Sequence, residues 1–124
     1  MGEELIMKSK KMKSFRATEG DIQSSIIKYL STVRDIYFWR QNSMGVPLPK
    51  GGFRKAPTSG VSDIVLLYKG LAYFLEIKRD EHSEIRDSQI EFKKNVEMAG
   101  AKYYIVWSVD MVAKIIDEIK NPTV

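Results

Sequence analysis

Residues 60–78, GVSDIVLLYKGLAYFLEIK, form a strongly apolar segment that carries Asp63 near one end and Glu76 and Lys78 at the other. The pattern predicts two strands joined by a turn at Lys69–Gly70. Apolar residues occupy both faces of each strand, which is typical of a central pair that is covered on both sides. Acidic side chains inside such a segment are costly unless something compensates their charge.

The register of this hairpin places the two acids against each other. If Tyr68 faces Leu71 across the turn, the same register makes Asp63 face Glu76, and Lys78 points to the same face as Glu76. Like charges that face each other directly destabilise a sheet, because their Cβ atoms lie about 4.5–5.5 Å apart. A divalent cation is the natural compensator, and the alternative is a structural salt bridge at the sheet edge.

Composition limits the class of protein. The 124 residues suit one domain, with 44% hydrophobic and 29% charged residues. No apolar run approaches the roughly 20 residues of a membrane span, and the N-terminus lacks the apolar core of a secretory signal. The absence of cysteine fits an intracellular, cytoplasmic protein. With His82 as the single histidine, a metal site must be mostly oxygen, which favours Mg²⁺ or Mn²⁺ over zinc.

Positive charge is concentrated in two places. The net charge is +4, and residues 1–17 form a basic arm that we expect to be flexible. A second cluster contains Lys50, Arg54 and Lys55. Such clusters suit a polyanionic partner such as nucleic acid, although a solvated surface with a frayed terminus explains charge alone equally well.

The chain is predicted to form one mixed α/β domain in the order α-β-β-β-α-β-α. Thr18 is an expected N-cap, and a long loop with four glycines and three prolines separates the first strand from the hairpin. Asp87 or Ser88 is the expected cap of the second helix, with Gly100 as its stop. Besides the hairpin, the expected elements are a helix over 18–33, a strand over 36–41, a loop over 42–60, a helix ending near 99, a strand over 102–107 and a helix over 110–120.

Two further polar residues lie on apolar helix stripes. Glu19 precedes Ile22 and Ile26 at helical spacing, so it is expected to point inward, and Gln89 begins the stripe that continues with Phe92. Each also has an ordinary explanation. Glu19 suits the positive end of a helix dipole, and Gln89 suits the frayed end of a stripe.

Together these residues resemble the PD-(D/E)xK nuclease superfamily, and in particular its virus-type replication-repair nuclease (VRR-NUC) branch. The resemblance rests on Glu19, RQNSMG at 40–45, GVSD at 60–63, LEIK at 75–78 and Gln89. It implies a restriction-endonuclease-like αβββαβ core followed by a C-terminal helix, with one nuclease domain over 18–120. The usual proline before the aspartate is Ser62 here.

The resemblance implies a role for each site residue. Asp63, Glu76 and the Ile77 backbone carbonyl would bind Mg²⁺ or Mn²⁺, and Glu19 would act through a water or a second ion. Lys78 would position or deprotonate the attacking water, and Gln89 would orient the nucleophile or Lys78.

The resemblance also implies DNA as the substrate. Expected backbone contacts come from Arg40, Asn42, Lys50, Arg54 and Lys55. Similar standalone domains act as homodimers on branched DNA such as four-way (Holliday) junctions, which suggests DNA repair and a phage origin. The alternatives are a catalytically inactive nuclease-fold module that only binds DNA, and an adaptor domain in which the acids form a salt bridge.

Overall fold

The computed structural model describes residues 17–41, 46–54 and 62–123. The predicted order of elements is confirmed, with a mixed four-stranded sheet and three helices. The elements are α1 (Glu19–Leu30), β1 (Tyr37–Arg40), β2 (Val46–Pro47), β3 (Phe53–Arg54), β4 (Ile64–Tyr68), β5 (Leu71–Ile77), α2 (Asp87–Met98), β6 (Lys102–Val106) and α3 (Val109–Lys120).

The hairpin of β4 and β5 forms the centre of the sheet, whose strand order is β1-β4-β5-β6. Its turn is Lys69–Gly70, with φ values of 48° and 82°. Two central residues with positive φ are typical of the tight turns whose twist matches that of the flanking strands. Ile64 pairs with Leu75, so the predicted register is confirmed. The strand β1 is antiparallel to β4, and β6 is parallel to β5.

The two faces of the sheet are covered by different helices. On one face, α1 and α3 enclose the main core, in which Ile26, Leu66 and Val106 are almost fully buried. On the other face, Phe92 of α2 packs edge-on against Phe74 and Tyr103, with ring centroids 5.3 and 5.9 Å apart. The central strands are therefore covered on both sides, as their apolar sequence predicts.

The first helix begins as predicted and ends earlier. Thr18 is the N-cap, and its hydroxyl accepts from the Asp21 amide while Asp21 accepts from the Thr18 amide. The helix ends at Leu30 instead of continuing to residue 33. The hydroxyls of Ser31 and Thr32 donate to the carbonyls of Ile27 and Tyr29, and such local bonds compete with a further helical turn.

Two other expectations need correction. The predicted loop over 42–60 contains a small antiparallel pair, β2 with β3, which two-residue strands between glycines and prolines do not reveal by periodicity. The N-cap of α2 is Arg86, not Asp87 or Ser88. The remaining boundaries agree to within one residue, and α3 is capped by Ser108, whose hydroxyl accepts from the Met111 amide.

Some predictions fall outside the described residues. These are the structure of the basic arm over 1–16 and the positions of Asn42 and Lys55. The single domain over 18–120 stays a prediction. Among the described helices, none is long and apolar enough to cross a membrane.

Candidate active site

Asp63 lies just before β4 and ties three strands together. Its carboxylate oxygen Oδ2 accepts a hydrogen bond of 2.8 Å from the Ile77 amide, and its backbone carbonyl accepts one of 2.8 Å from the Gln41 amide. The strand β5 extends past the start of β4. The Asp63 carboxylate therefore accepts the hydrogen bond from the Ile77 amide that a backbone carbonyl accepts within the sheet. This arrangement fixes Asp63 beside the end of β5.

Ser62 restrains the backbone just before Asp63. It is fully buried, and its hydroxyl donates to the Ile64 carbonyl at 3.0 Å. A hydroxyl bond to a carbonyl two residues ahead restrains the backbone locally. The loss of proline thus leaves the approach to Asp63 braced by another route.

Glu76 is buried on the face of the sheet that α2 covers. Only 6% of the residue is exposed, and its Oε1 accepts a 2.8 Å hydrogen bond from Nε2 of Gln89. The Gln89 oxygen in turn accepts from the Arg86 amide at 3.0 Å, which fixes the amide orientation at the start of α2. Gln89 is therefore buried as its stripe predicts, but it holds Glu76 and not Lys78.

The second carboxylate oxygen of Glu76 is not satisfied by the part of the chain that the structure describes. Oε2 is buried and makes no hydrogen bond with the described residues. Burial is the main cause that raises the pKa of Glu76, to about 8, and the charge of Asp63 raises it further. Lys78 partly offsets this effect, and Glu19 adds to it. Burial and the neighbouring carboxylates thus disfavour the charged form of Glu76, and Lys78 offsets their effect only in part.

Lys78 is buried but does not form a close ion pair. Its Nζ lies 3.9 Å from Glu76 Oε1, and the residue is 7% exposed. Charge-assisted hydrogen bonds are about 2.7–2.9 Å long, so this separation is too great for one. The Lys78 amide donates to the Val106 carbonyl at 2.9 Å, which anchors the residue at the end of the sheet. A purely structural salt bridge would close this gap.

The chemistry of the donor set fits a hard divalent cation. Asp63 and Glu76 supply carboxylate oxygens. Glu76 Oε2 has no hydrogen-bond partner among the described residues, so it can accept a metal ion. In a strand, the amide and carbonyl of one residue point to the same neighbour, so the Ile77 carbonyl points toward the Asp63 side. No group of three or more His, Cys, Asp or Glu side chains suited to a metal occurs in the described ranges. Mg²⁺ needs no such cage, since it keeps several waters and uses one or two carboxylates.

Glu19 lies near this site but is not buried. It is the first residue of α1 and is solvent-exposed, which corrects the inward orientation predicted from its stripe. The first turn of a helix that begins at a sheet end projects past the core. Its charge nevertheless acts on Glu76, so the two carboxylates are electrostatic neighbours. Its role through a water or second ion stays a prediction.

The proposed DNA contacts are only partly located. Arg40 is exposed at the end of β1. With the Gln23 amide turned so that its oxygen faces the guanidinium, Nε and Nη2 of Arg40 donate to that oxygen at 2.7 and 2.8 Å. Lys50 is exposed in the turn between β2 and β3. Arg54 lies in β3. His82 is exposed on the surface beside Glu81, as expected.

Sequence reasoning missed one polar atom near the site. The ring of Tyr103 is buried against Phe92. Its hydroxyl, however, is buried without a hydrogen-bond partner among the described residues. Burial and the charges of Glu76 and Asp63 raise its pKa, so the phenol stays protonated. Tyr103 pairs with Phe74, two residues before Glu76 in β5, and this parallel pairing cannot be read from the sequence pattern.

The fold is that of a solved structure described as a VRR_NUC domain. The two chains are 19% identical, with a TM-score of 0.56 over 86% of this chain and 100% of that chain. No protein-family model and no curated protein matches the sequence. The predicted fold, an α/β mixed sheet of restriction-endonuclease-like type with a C-terminal helix, is confirmed.

Proposed function

We propose that this protein is a Mg²⁺- or Mn²⁺-dependent endonuclease that hydrolyses DNA phosphodiester bonds. The observation that carries the proposal is the buried Glu76: its Oε2 has no hydrogen-bond partner among the described residues, and Lys78 lies 3.9 Å from its other oxygen, too far for a charge-assisted hydrogen bond. A buried carboxylate with an unsatisfied oxygen lowers the stability of the folded state, and such groups are concentrated at functional sites. The nuclease-type fold supports the same reading.

Each side chain has a task in this reaction. Asp63, Glu76 and the Ile77 carbonyl would hold the cation, which supplies Lewis acidity toward the phosphate and a more acidic water. Lys78 places an ammonium at the edge of the site, where it would orient the attacking water and stabilise the charge that develops on the phosphoryl group. Gln89 keeps Glu76 in place through its 2.8 Å hydrogen bond. A positioning role for Lys78 requires no deprotonated amine.

DNA would be held through its phosphates. Arg40 and Lys50 are exposed cations, and Asn42, Arg54 and Lys55 belong to the same stretch of chain before Asp63. Such contacts position a duplex without reading its sequence, so selection by DNA shape is expected. We include in the proposal a homodimer acting on branched DNA, because two identical sites related by a two-fold axis suit the cutting of two strands.

Cleavage of four DNA substrates tests the proposal. Linear duplex, single-stranded, flap and four-way-junction DNA are incubated with Mg²⁺, Mn²⁺ or EDTA and with wild type, Lys78→Ala or Lys69→Ala. Lys69 is a matched control, because it is an exposed lysine at the opposite end of the hairpin. We expect metal-dependent cleavage that falls by at least about a hundredfold in Lys78→Ala and stays unchanged in Lys69→Ala.

Each alternative gives a different result. Binding of DNA without cleavage of any substrate would favour a catalytically inactive binding module. Cleavage that survives in Lys78→Ala would overturn the assignment of the site. Thermal unfolding provides an independent check, since Mg²⁺ or Mn²⁺ should stabilise wild type but not Asp63→Ala. A structural salt bridge would show no response to metal in either protein.

A further inference from the structure

Two aromatic side chains lie exposed on the same face of the sheet as Glu76. Trp39 pairs with Val65, and Val65 pairs with Phe74 of β5. Side chains of paired residues share a face, and Glu76 lies two residues beyond Phe74, so Trp39 and Glu76 share that face as well. Tyr37, two residues from Trp39, joins them, with the two ring centroids 6.0 Å apart.

This part of the face is left open by α2. The helix packs against β5 and β6 through Phe92, whereas β1 lies at the opposite edge of the sheet. Tyr37 is 67% exposed and Trp39 37% exposed, so both rings can be reached from solvent. Neighbouring exposed aromatic rings form an apolar surface whose contact with water is unfavourable, and such surfaces often bind a ligand or partner.

The orientation of Trp39 is fixed and tied to the site. Its indole Nε1 donates to the Gln41 side-chain oxygen at 3.0 Å, so the only polar atom of the ring is already satisfied. The Gln41 amide donates to the Asp63 carbonyl at 2.8 Å. Trp39 therefore presents the π-face of its ring to a ligand. Two hydrogen bonds, both made by Gln41, connect the ring to the backbone of Asp63.

The spacing suits a nucleic acid that already occupies the active site. Two strand spacings separate β1 from β5, about 10 Å, and Glu76 lies about 7 Å farther along β5 than Phe74, so the two positions are about 12 Å apart. Stacked nucleotides rise by about 3.4 Å each, so Trp39 lies about three to four nucleotides from a phosphate held at Glu76. A base inside a duplex has both faces covered by its neighbours, and only an unpaired base can place a face on an aromatic ring.

We propose that Trp39, extended by Tyr37, is a stacking site for an unpaired base of the DNA strand that enters the active site. The site would take any of the four bases, because stacking uses a π-face that all of them share. The inference rests on the proposed nuclease function and narrows the class of substrate. The preferred DNA would contain unpaired nucleotides beside the cleaved bond.

Tryptophan fluorescence in EDTA tests this site without cleavage. The variant Trp107→Phe leaves Trp39 as the only tryptophan of the chain. Titration with a 12-nucleotide oligothymidylate should quench its emission, and a blunt duplex of equal length should quench it much less. No quenching by the single strand at concentrations that bind it would overturn the proposal.

Binding of a labelled oligonucleotide, followed by anisotropy in the otherwise wild-type protein, gives a second measurement. Trp39→Ala should weaken binding of the single strand about five- to a hundredfold, whereas Trp39→Phe should retain most of the affinity. Leu71→Ala is the matched control, because Leu71 is 53% exposed at the far end of β5. Equal affinity of wild type and Trp39→Ala would overturn the proposal.

Two further readouts separate the possible failures. If Trp39→Ala changes the sedimentation of the protein from dimer to monomer without changing oligonucleotide affinity, the surface binds a second copy and the stacking site is refuted. If single strands bind through Trp39 but no substrate is cleaved with metal, the nuclease function fails while the stacking site stands. In a cleaving enzyme, Trp39→Ala should raise KM for flap DNA more than for linear duplex.

Discussion

Replacing Glu76 with glutamine should change how the stability of the metal-free protein depends on pH. In the folded protein, burial and the charge of Asp63 raise the pKa of Glu76 from 4.5 to about 8. The folded state therefore binds this proton more tightly than the unfolded chain does. The favourable contribution is complete below about pH 4.5 and is lost as the pH rises toward 8.

The size of this effect follows from the shift. Each pKa unit corresponds to about 1.4 kcal/mol, so the rise of the Glu76 pKa from 4.5 to about 8 lowers the free energy of unfolding by about 5 kcal/mol between pH 4.5 and pH 8.5. This value is an upper bound, because water entry and relaxation around a buried carboxylate reduce its cost. Glu76→Gln removes the titrating group, so its stability should stay nearly constant over the same interval.

Urea denaturation in EDTA at pH 5.5, 7.0 and 8.5 measures the difference between the two proteins. Glu91→Gln is a matched control, since it makes the same substitution at an exposed position of α2. Mg²⁺ should restore the stability of wild type at pH 8.5 and should leave Glu76→Gln unchanged. If wild type and Glu76→Gln lose stability in parallel, Glu76 is not the group that couples folding to pH.

Three further substitutions test single features of the structure. Gln89→Leu removes the hydrogen-bond donor to Glu76 and so disfavours its charged form. We expect kcat at pH 7 to fall at least about tenfold and the pH–rate profile to move to higher pH, and an unchanged profile would contradict a positioning role. Tyr103→Phe deletes a buried hydroxyl without a described partner, and we expect unaltered or higher stability in urea; a loss of more than about 1 kcal/mol would mean that the hydroxyl is hydrogen-bonded. Gly70→Ala should cost about 1 kcal/mol, purely from its φ of 82°, because the added methyl group would meet no atom within 4 Å; equal urea midpoints would refute this reasoning.

The hairpin could be read from the sequence because its information is local. Two apolar segments around Lys69–Gly70 fix the turn, and the turn fixes the register that brings Asp63 to the level of Glu76. Gln89 was singled out for the same kind of reason, as a polar residue on an apolar stripe. Its partner was not predictable, since the choice between Glu76 and Lys78 depends on how α2 crosses the sheet.

Other features depend on tertiary geometry that periodicity does not contain. Glu19 has the spacing of an inward residue but lies in the first turn, where the helix extends beyond the core. The exposure of Trp39 follows from where α2 stops covering the sheet, and the strand sequence alone suggests a buried ring. The pair of β2 and β3 is too short for an alternating pattern to appear.

The tight turn at Lys69–Gly70 also has a consequence for the order in which the site forms. A hairpin of this kind closes in about 1–10 μs and needs only local contacts, so we expect Asp63 and Glu76 to come together before α2 docks. Only the docking of α2, through Phe92 and Gln89, takes Glu76 out of water. Local opening of α2 would rehydrate the carboxylate, so the hydrogen-exchange protection factors of this helix, corrected for the intrinsic pH dependence of exchange, should fall at alkaline pH and rise again when the cation binds.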